Sequence, residues 1–283
     1  MSKTTPAFFK DFNKPADTIL NDDYSLKRTL KVKHVTPDGV TITTENELAG
    51  KDGKYDLKAK ISGKYKHGAT GFSVDKLQLK ETGGIVGEFA LAGVAPGLTF
   101  TFKGEEKPTG ELGLEYTGAR FAVKSEVDLV QLSKLKASAV LAHEGGKVGG
   151  DVEVALPDGK SDLGLNRWSV GSAYGTSTSF ASIVAASGKT GMDYSIYGVV
   201  KTSPPLSVAG KLTYPSGGNY GVTLGGIYKC SATSTLKGKI NMSGLLSTSI
   251  IHNVHPKVQV TATAEGSLKT MQDYRMGFGA TLG

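Results

Sequence analysis

From Ser25 onward the chain alternates apolar and polar residues with a period of two, and it hardly stops before the end. Over Tyr55 to Lys64 the faces separate cleanly, with Tyr55, Leu57, Ala59 and Ile61 against Asp56, Lys58, Lys60, Ser62 and Lys64. Val40, Ile42 and Leu48 oppose Thr41, Thr43, Glu45 and Glu47. Leu98, Phe100 and Phe102 oppose Thr99, Thr101 and Lys103, and Leu112, Leu114 and Tyr116 oppose Glu111 and Glu115. Phe121, Val123, Val127 and Leu129 oppose Arg120, Lys124, Glu126 and Asp128. Near the end Val258, Val260, Ala262 and Ala264 oppose Gln259, Thr261, Thr263 and Glu265. Such alternation predicts amphipathic β-strands. Turn signals separate them: Pro37-Asp38-Gly39, Lys51-Asp52-Gly53, Thr82-Gly83-Gly84, Pro157-Asp158-Gly159 and Pro215-Ser216-Gly217-Gly218. Glycine supplies positive φ at such places, and Pro and Asp preset a turn. The spacing predicts about 19 strands of roughly ten residues, the length that crosses a bilayer when tilted.

One stretch does not alternate. In Pro6 to Tyr24, Phe8, Phe12, Ile19 and Leu20 recur near the helical period and form one stripe of a short amphipathic helix. Pro15 lacks an amide hydrogen and disfavours helical geometry at Lys14, so the helix is expected to kink or split there. The chain thus reads as residues 1–24, an N-terminal amphipathic helical segment, followed by 25–283, a single β-rich unit.

The apolar face of so many uniform strands must be covered. A soluble sandwich covers it with a second sheet of mixed large residues. Lipid covers it in a transmembrane barrel, where closure leaves no unpaired strand edge in hydrocarbon. The charged opposite face, with Lys58, Lys60 and Lys64 in one row, favours the barrel. The longest uncharged run, Trp168 to Gly188, is rich in Ser, Thr and Gly and is a poor candidate for a membrane helix.

Composition adds little but trims the options. The 283 residues include 38 glycines, 10 prolines, and 33 basic against 26 acidic residues, a net charge of +7 that favours anionic partners without naming one. The one cysteine, Cys230, excludes an internal disulfide framework. MSKTTPAFFK shows no basic flank leading into an apolar run, so no secretory signal is expected. Ser187-Gly188-Lys189-Thr190 resembles the end of a phosphate loop but lacks its earlier glycine and its helix. His252 and His255 have ligand-like spacing with no further ligand, so neither a metal nor a cofactor is expected. No nucleophile, base and acid converge, so no enzyme is expected.

Several short pieces carry a family resemblance. Phe9, Asp11, Lys14, Ala16 and Tyr24, then Val94-Ala95-Pro96-Gly97-Leu98, then Leu141-Ala142-His143-Glu144-Gly145 with Val148-Gly149-Gly150, follow one another in order. Lys239-Ile240-Asn241 through Leu245 and His255-Pro256-Lys257-Val258 complete the series. Together they resemble the voltage-dependent anion channels, the porins of the mitochondrial outer membrane. The resemblance implies a barrel of 19 strands with parallel first and last strands and the helix inside the pore. The family is itself the standing example of an odd-stranded barrel, so the figure of about 19 carries that knowledge. Arg275, Gly277, Ala280 and Leu282 resemble the family's assembly signal in the last strand. The family's glycine-rich hinge is replaced here by Asp22-Asp23-Tyr24-Ser25-Leu26, and its Gly-Leu-Lys triplet by Gly97-Leu98-Thr99.

With the polar face turned to the lumen, the basic lining comprises Lys27, Lys31, Lys33, Lys58, Lys60, Lys64, Arg120, Lys124, Lys237 and Lys239. The pore helix presents Phe8, Phe12, Lys14, Pro15, Ile19 and Leu20. The resemblance implies a voltage-gated, weakly anion-selective pore for ATP, ADP, phosphate and small ions. Its implied partners are those anions and nucleotides in transit and membrane lipid, with homo-oligomers an added expectation and nucleic acid none. The competing readings are a protein-import barrel and a soluble β-rich protein binding an anionic polymer or lipid.

Overall fold

The computed structural model describes residues 6–51, 54–106, 109–130, 132–156, 164–188, 190–270 and 274–283. A 3-10 turn at Phe9–Asp11 and one α-helix, α1 (Lys14–Leu20), precede all strands. The break falls at Phe12 and Asn13, two residues before the place expected from the proline. Pro15 sits in the first turn of α1, where no helical partner exists for an amide hydrogen anyway.

The strands then run β1 (Arg28–Val35), β2 (Thr41–Lys51), β3 (Lys54–Lys66), β4 (Phe72–Leu79), β5 (Ile85–Ala92) and β6 (Leu98–Glu105). They continue as β7 (Thr109–Thr117), β8 (Phe121–Asp128), β9 (Lys134–His143), β10 (Gly146–Ala155), β11 (Gly164–Gly175), β12 (Ser179–Ser187) and β13 (Met192–Ser203). The last six are β14 (Leu206–Tyr214), β15 (Gly221–Lys229), β16 (Ser234–Asn241), β17 (Leu245–His255), β18 (Val258–Ser267) and β19 (Arg275–Leu282). Each pairs antiparallel with its neighbours in sequence. The exception is the seam, where β1 lies parallel to β19 with Leu30 beside Ala280 and closes the 19-stranded sheet on itself. The turns at 51–53 and 157–159 expected from sequence fall wholly or partly outside the described residues.

Closure gives the sheet two unlike faces. Leu57, Leu141, Val148, Met276 and Phe278 stand on the outer face, each at least half exposed. A soluble monomer rarely shows apolar patches above a few hundred Å²; here the apolar face continues around the whole barrel. No helix among the described residues is long and apolar enough to cross a membrane. The wall does so with strands, each hydrogen-bonded to two neighbours around a closed ring.

Candidate functional site: the inner wall and its helix

The buried core is not inside the sheet but between the sheet and the N-terminal segment. Ala16, Ile19 and Leu20 pack on Tyr197, Val199 and Ala209 of β13 and β14, with Phe180 and Ile227 at the edges. Phe12 packs on Val140 of β9 and Ala173 of β11, joined by Phe9 and Val184. Three glycines receive these apolar side chains. A Cβ on Gly149 would stand 3.2 Å from the Phe9 ring, one on Gly171 3.2 Å from the Phe12 ring, and one on Gly225 2.8 Å from Leu20 Cδ2. The wall is hollowed where the helix lies. Ala16, the most deeply buried residue of the helix at 0 % exposure, is too small to have signalled the stripe from sequence, whereas Phe8 is only half-buried. Lys14 and Pro15 are exposed.

Polar contacts fix the helix at its end. Lys237, on β16, is 1 % exposed, and its ammonium donates three hydrogen bonds: to the Thr18 carbonyl at 2.6 Å, the Asp22 carbonyl at 3.0 Å and Asp23 Oδ2 at 2.9 Å. An ammonium has three donors, so none is left unmet. Lys239, two residues on, donates to the Leu20 carbonyl at 2.8 Å and lies 4.4 Å from the centre of the Tyr24 ring. The last carbonyls of a helix lack partners within it and carry the negative end of its dipole, so two cations are well placed there. Asp23 adopts the left-handed conformation at φ 68°, which Asp tolerates better than most residues; it occupies the place of the absent glycine hinge. Tyr24 donates to the Ile19 carbonyl, and burial, with the neighbouring Asp23 charge, pushes its hydroxyl pKa up to about 12. At the other end of α1, Ser182 Oγ donates to Asn13 Oδ1 at 2.6 Å.

The opposite arc of the wall carries no helix. Its inner face is a ladder of cross-strand ion pairs. Lys27 meets Glu47 at 3.0 Å, and Glu45 is held between Lys31 at 3.4 Å and Lys60 at 3.1 Å. Lys76 meets Glu88 at 3.7 Å, Lys103 meets Glu126 at 3.3 Å, and Lys124 lies between Glu115 at 2.7 Å and Glu126 at 2.9 Å. Lys33, Lys58 and Lys64 share this face by register and make no ion pair among the described residues. Two sequence placements need correction. Arg120 lies in the turn before β8 rather than on a strand, and Lys27 stands one residue ahead of β1. Both follow from an alternation that runs past the last paired residue, which period-two reading cannot detect.

In the last strand Arg275 pairs with Glu265 on the inner side, while Ala280 and Leu282 share the outer face with Met276 and Phe278. Gly277 has a local reason of its own. A Cβ there would stand 2.6 Å from Leu26 Cα, so only glycine lets the segment leading into β1 cross at that point.

A barrel closed by a parallel seam, apolar outside, charged inside and narrowed by its own N-terminal helix is a pore-forming membrane protein. The eukaryotic porin family model matches residues 5–277, and the chain belongs to that family, the mitochondrial porins or voltage-dependent anion channels. Among its relatives, the mitochondrial outer membrane protein porin of Candida albicans is 27% identical, the match covering 96% of this chain and 97% of that one. The non-selective voltage-gated ion channel VDAC2 of Meleagris gallopavo is 26% identical over 98% of this chain and 94% of its own. The mitochondrial outer membrane protein porin 5 of Oryza sativa subsp. japonica is 24% identical over 96% and 95%.

Proposed function

We propose that this chain is a voltage-gated, weakly anion-selective diffusion pore of the mitochondrial outer membrane, passing ATP, ADP, phosphate and small ions. The observation that carries the selectivity is the uneven charge on the bare arc. From Lys27 through β3, Lys27, Lys31, Lys33, Lys58, Lys60, Lys64 and Lys66 face Glu45, Glu47 and Asp56, seven cations against three anions among the described side chains. On β7 and β8 the balance reverses, with Glu111, Glu115, Glu126 and Asp128 around Lys124. Screening lengths of about 8–10 Å at physiological salt let each arc act on ions in its own part of the lumen. The two arcs partly cancel, so the preference is modest. A recess of about 660 Å³ beside the 3-10 turn, where Lys10, Lys103, Lys136 and Arg167 meet Glu126, Asp151 and Glu153, leaves a polar path past the helix. Lys237 and Lys239 add little to selectivity, since their charge is spent on the helix terminus.

Recording the refolded chain in planar bilayers tests this reading. Discrete conductance steps that close at higher voltage are expected, and their absence overturns the pore. The combined variant Lys58→Glu, Lys60→Glu, Lys64→Glu is expected to move the zero-current potential in a salt gradient toward cations. An unchanged potential removes these side chains from the conduction path. Deleting residues 1–22 is expected to raise current noise and blunt voltage closure.

A further inference from the structure

A cleft beside the helix stands apart from the charged arcs. It opens between Pro15 at the start of α1 and the wall of β10 to β13, encloses about 260 Å³, and is markedly more apolar than the recess beside the 3-10 turn. Its floor is Ala173, Phe180 and Val199; its rim carries Lys147 and Lys201. Lys201 Nζ spends one donor on the Ser177 carbonyl at 2.9 Å. Neither lysine makes an ion pair among the described residues. The adjoining carboxylate, Glu144, is turned to His143 at 3.6 Å. The cleft lies at the mouth formed by the turns after odd-numbered strands, which also holds Arg120, Lys229 and Lys257.

The geometry points to a binding site for a small monocarboxylate with a compact apolar body, its carboxylate at the rim that carries Lys147 and Lys201 and its body against Phe180, Val199 and Pro15. Charge draws anions to this mouth in general, but only an anion with an apolar part gains from the floor. A volume just under that of drug-sized pockets limits the body to about ten carbons. Metabolite anions that are charged throughout, such as phosphate, leave the floor unfilled and are not retained. The occupant would rest against the first turn of the helix, so the site adjoins the constriction without being part of the charged arcs.

Calorimetry on the refolded full-length chain in detergent, with empty micelles subtracted, tests this independently of conductance. The probes are phenylacetate, acetate and benzyl alcohol, which separate the combined ligand from its charged half and its apolar half. Saturable binding of phenylacetate at one site is expected, with acetate and benzyl alcohol each at least tenfold weaker. Lys147→Gln with Lys201→Gln is expected to weaken phenylacetate about fivefold, and Phe180→Ala to weaken it as well. Acetate binding equal to phenylacetate reduces the site to general attraction by a cationic mouth and overturns it. Equal binding of benzyl alcohol, an unchanged affinity in the double variant, or no saturable heat overturns it also.

Discussion

The wall has two halves that solve different problems with one strand pattern. From β1 to β8 the inner face carries lysines and glutamates, many of them paired side to side, among threonines and small residues, with no helix over them. From β9 to β16 the inner face includes a seat of Val140, Ala173, Val199, Ala209 and three glycines shaped to the helix, beside charged residues such as Lys136, Asp151 and Arg167. The first half carries ion pairs that range from largely buried, as at Lys124, to half-exposed, as at Lys31, and owes its form to the closed backbone ladder. In the second half a ligand-like segment of the same chain is bound by burial and by two lysines. Lumenal lysines are thus used in two ways: in the first arc they lie against carboxylates of the wall, and on β16 two of them hold the helix.

The sharpest way to break this comparison is Lys237→Ala. It leaves the Thr18 and Asp22 carbonyls and the Asp23 carboxylate without their partner, at a cost of about 1–3 kcal/mol. Tryptic cleavage after Lys10, which is exposed and followed by Asp11, should accelerate in reconstituted protein by about one to two orders of magnitude. No acceleration would mean that the apolar seat alone holds the helix. Next comes Gly225→Ala, whose methyl would stand 2.8 Å from Leu20 and 3.0 Å from the Gly238 carbonyl. A cost near 1 kcal/mol and partial loosening are expected. Gly238→Ala, which meets nothing within 4 Å, serves as the matched control. On the bare arc Glu45→Gln should change the thermal midpoint in detergent by no more than a degree or two, while shifting the zero-current potential toward anions.

The smallest effect concerns pH. Burial pushes the Asp17 carboxyl up, against the pull of Lys211 and the hydrogen bond from Asn21. A seated helix thus disfavours the charged form. The penalty is present above the raised pKa and relieved as pH falls through it, so acidification should tighten the seat. Amide exchange across α1, corrected for intrinsic rates, should slow on going from neutral to acidic pH, and Asp17→Asn should lessen that slope.

The same division explains what could be read from sequence. Every pair of faces visible in the alternation lies on β2, β3, β6, β7, β8 or β18, where the inner side chains meet water and are charged or hydroxylated. On β12 and β13 both faces are apolar or small, as in Ile183 beside Val184 and Val199 beside Val200, because one side meets lipid and the other meets the helix. Period-two contrast vanishes under such cover, although turn signals still separate the strands. The side of the wall that Lys237 and Lys239 occupy followed from parity. Their partners did not, since no local pattern tells a strand that a helix over 200 residues away will end above it. The three glycines under the helix were likewise indistinguishable from those that merely ease sheet curvature.

The parallel pairing of β1 with β19 sets the order in which this molecule can form. Until the last eight-residue strand exists, β1 and whichever strand was made last both present unpaired amides and carbonyls, which hydrocarbon does not tolerate. The contact that seals the ring is the one with the greatest separation along the chain, and such contacts form slowly. Translation must therefore finish before the wall can be sealed, and the nascent chain has to be kept unaggregated in water meanwhile. A chain that lacks β19 leaves the edge of β1 without its partner, so its defect should show as an unclosed wall rather than as failed synthesis.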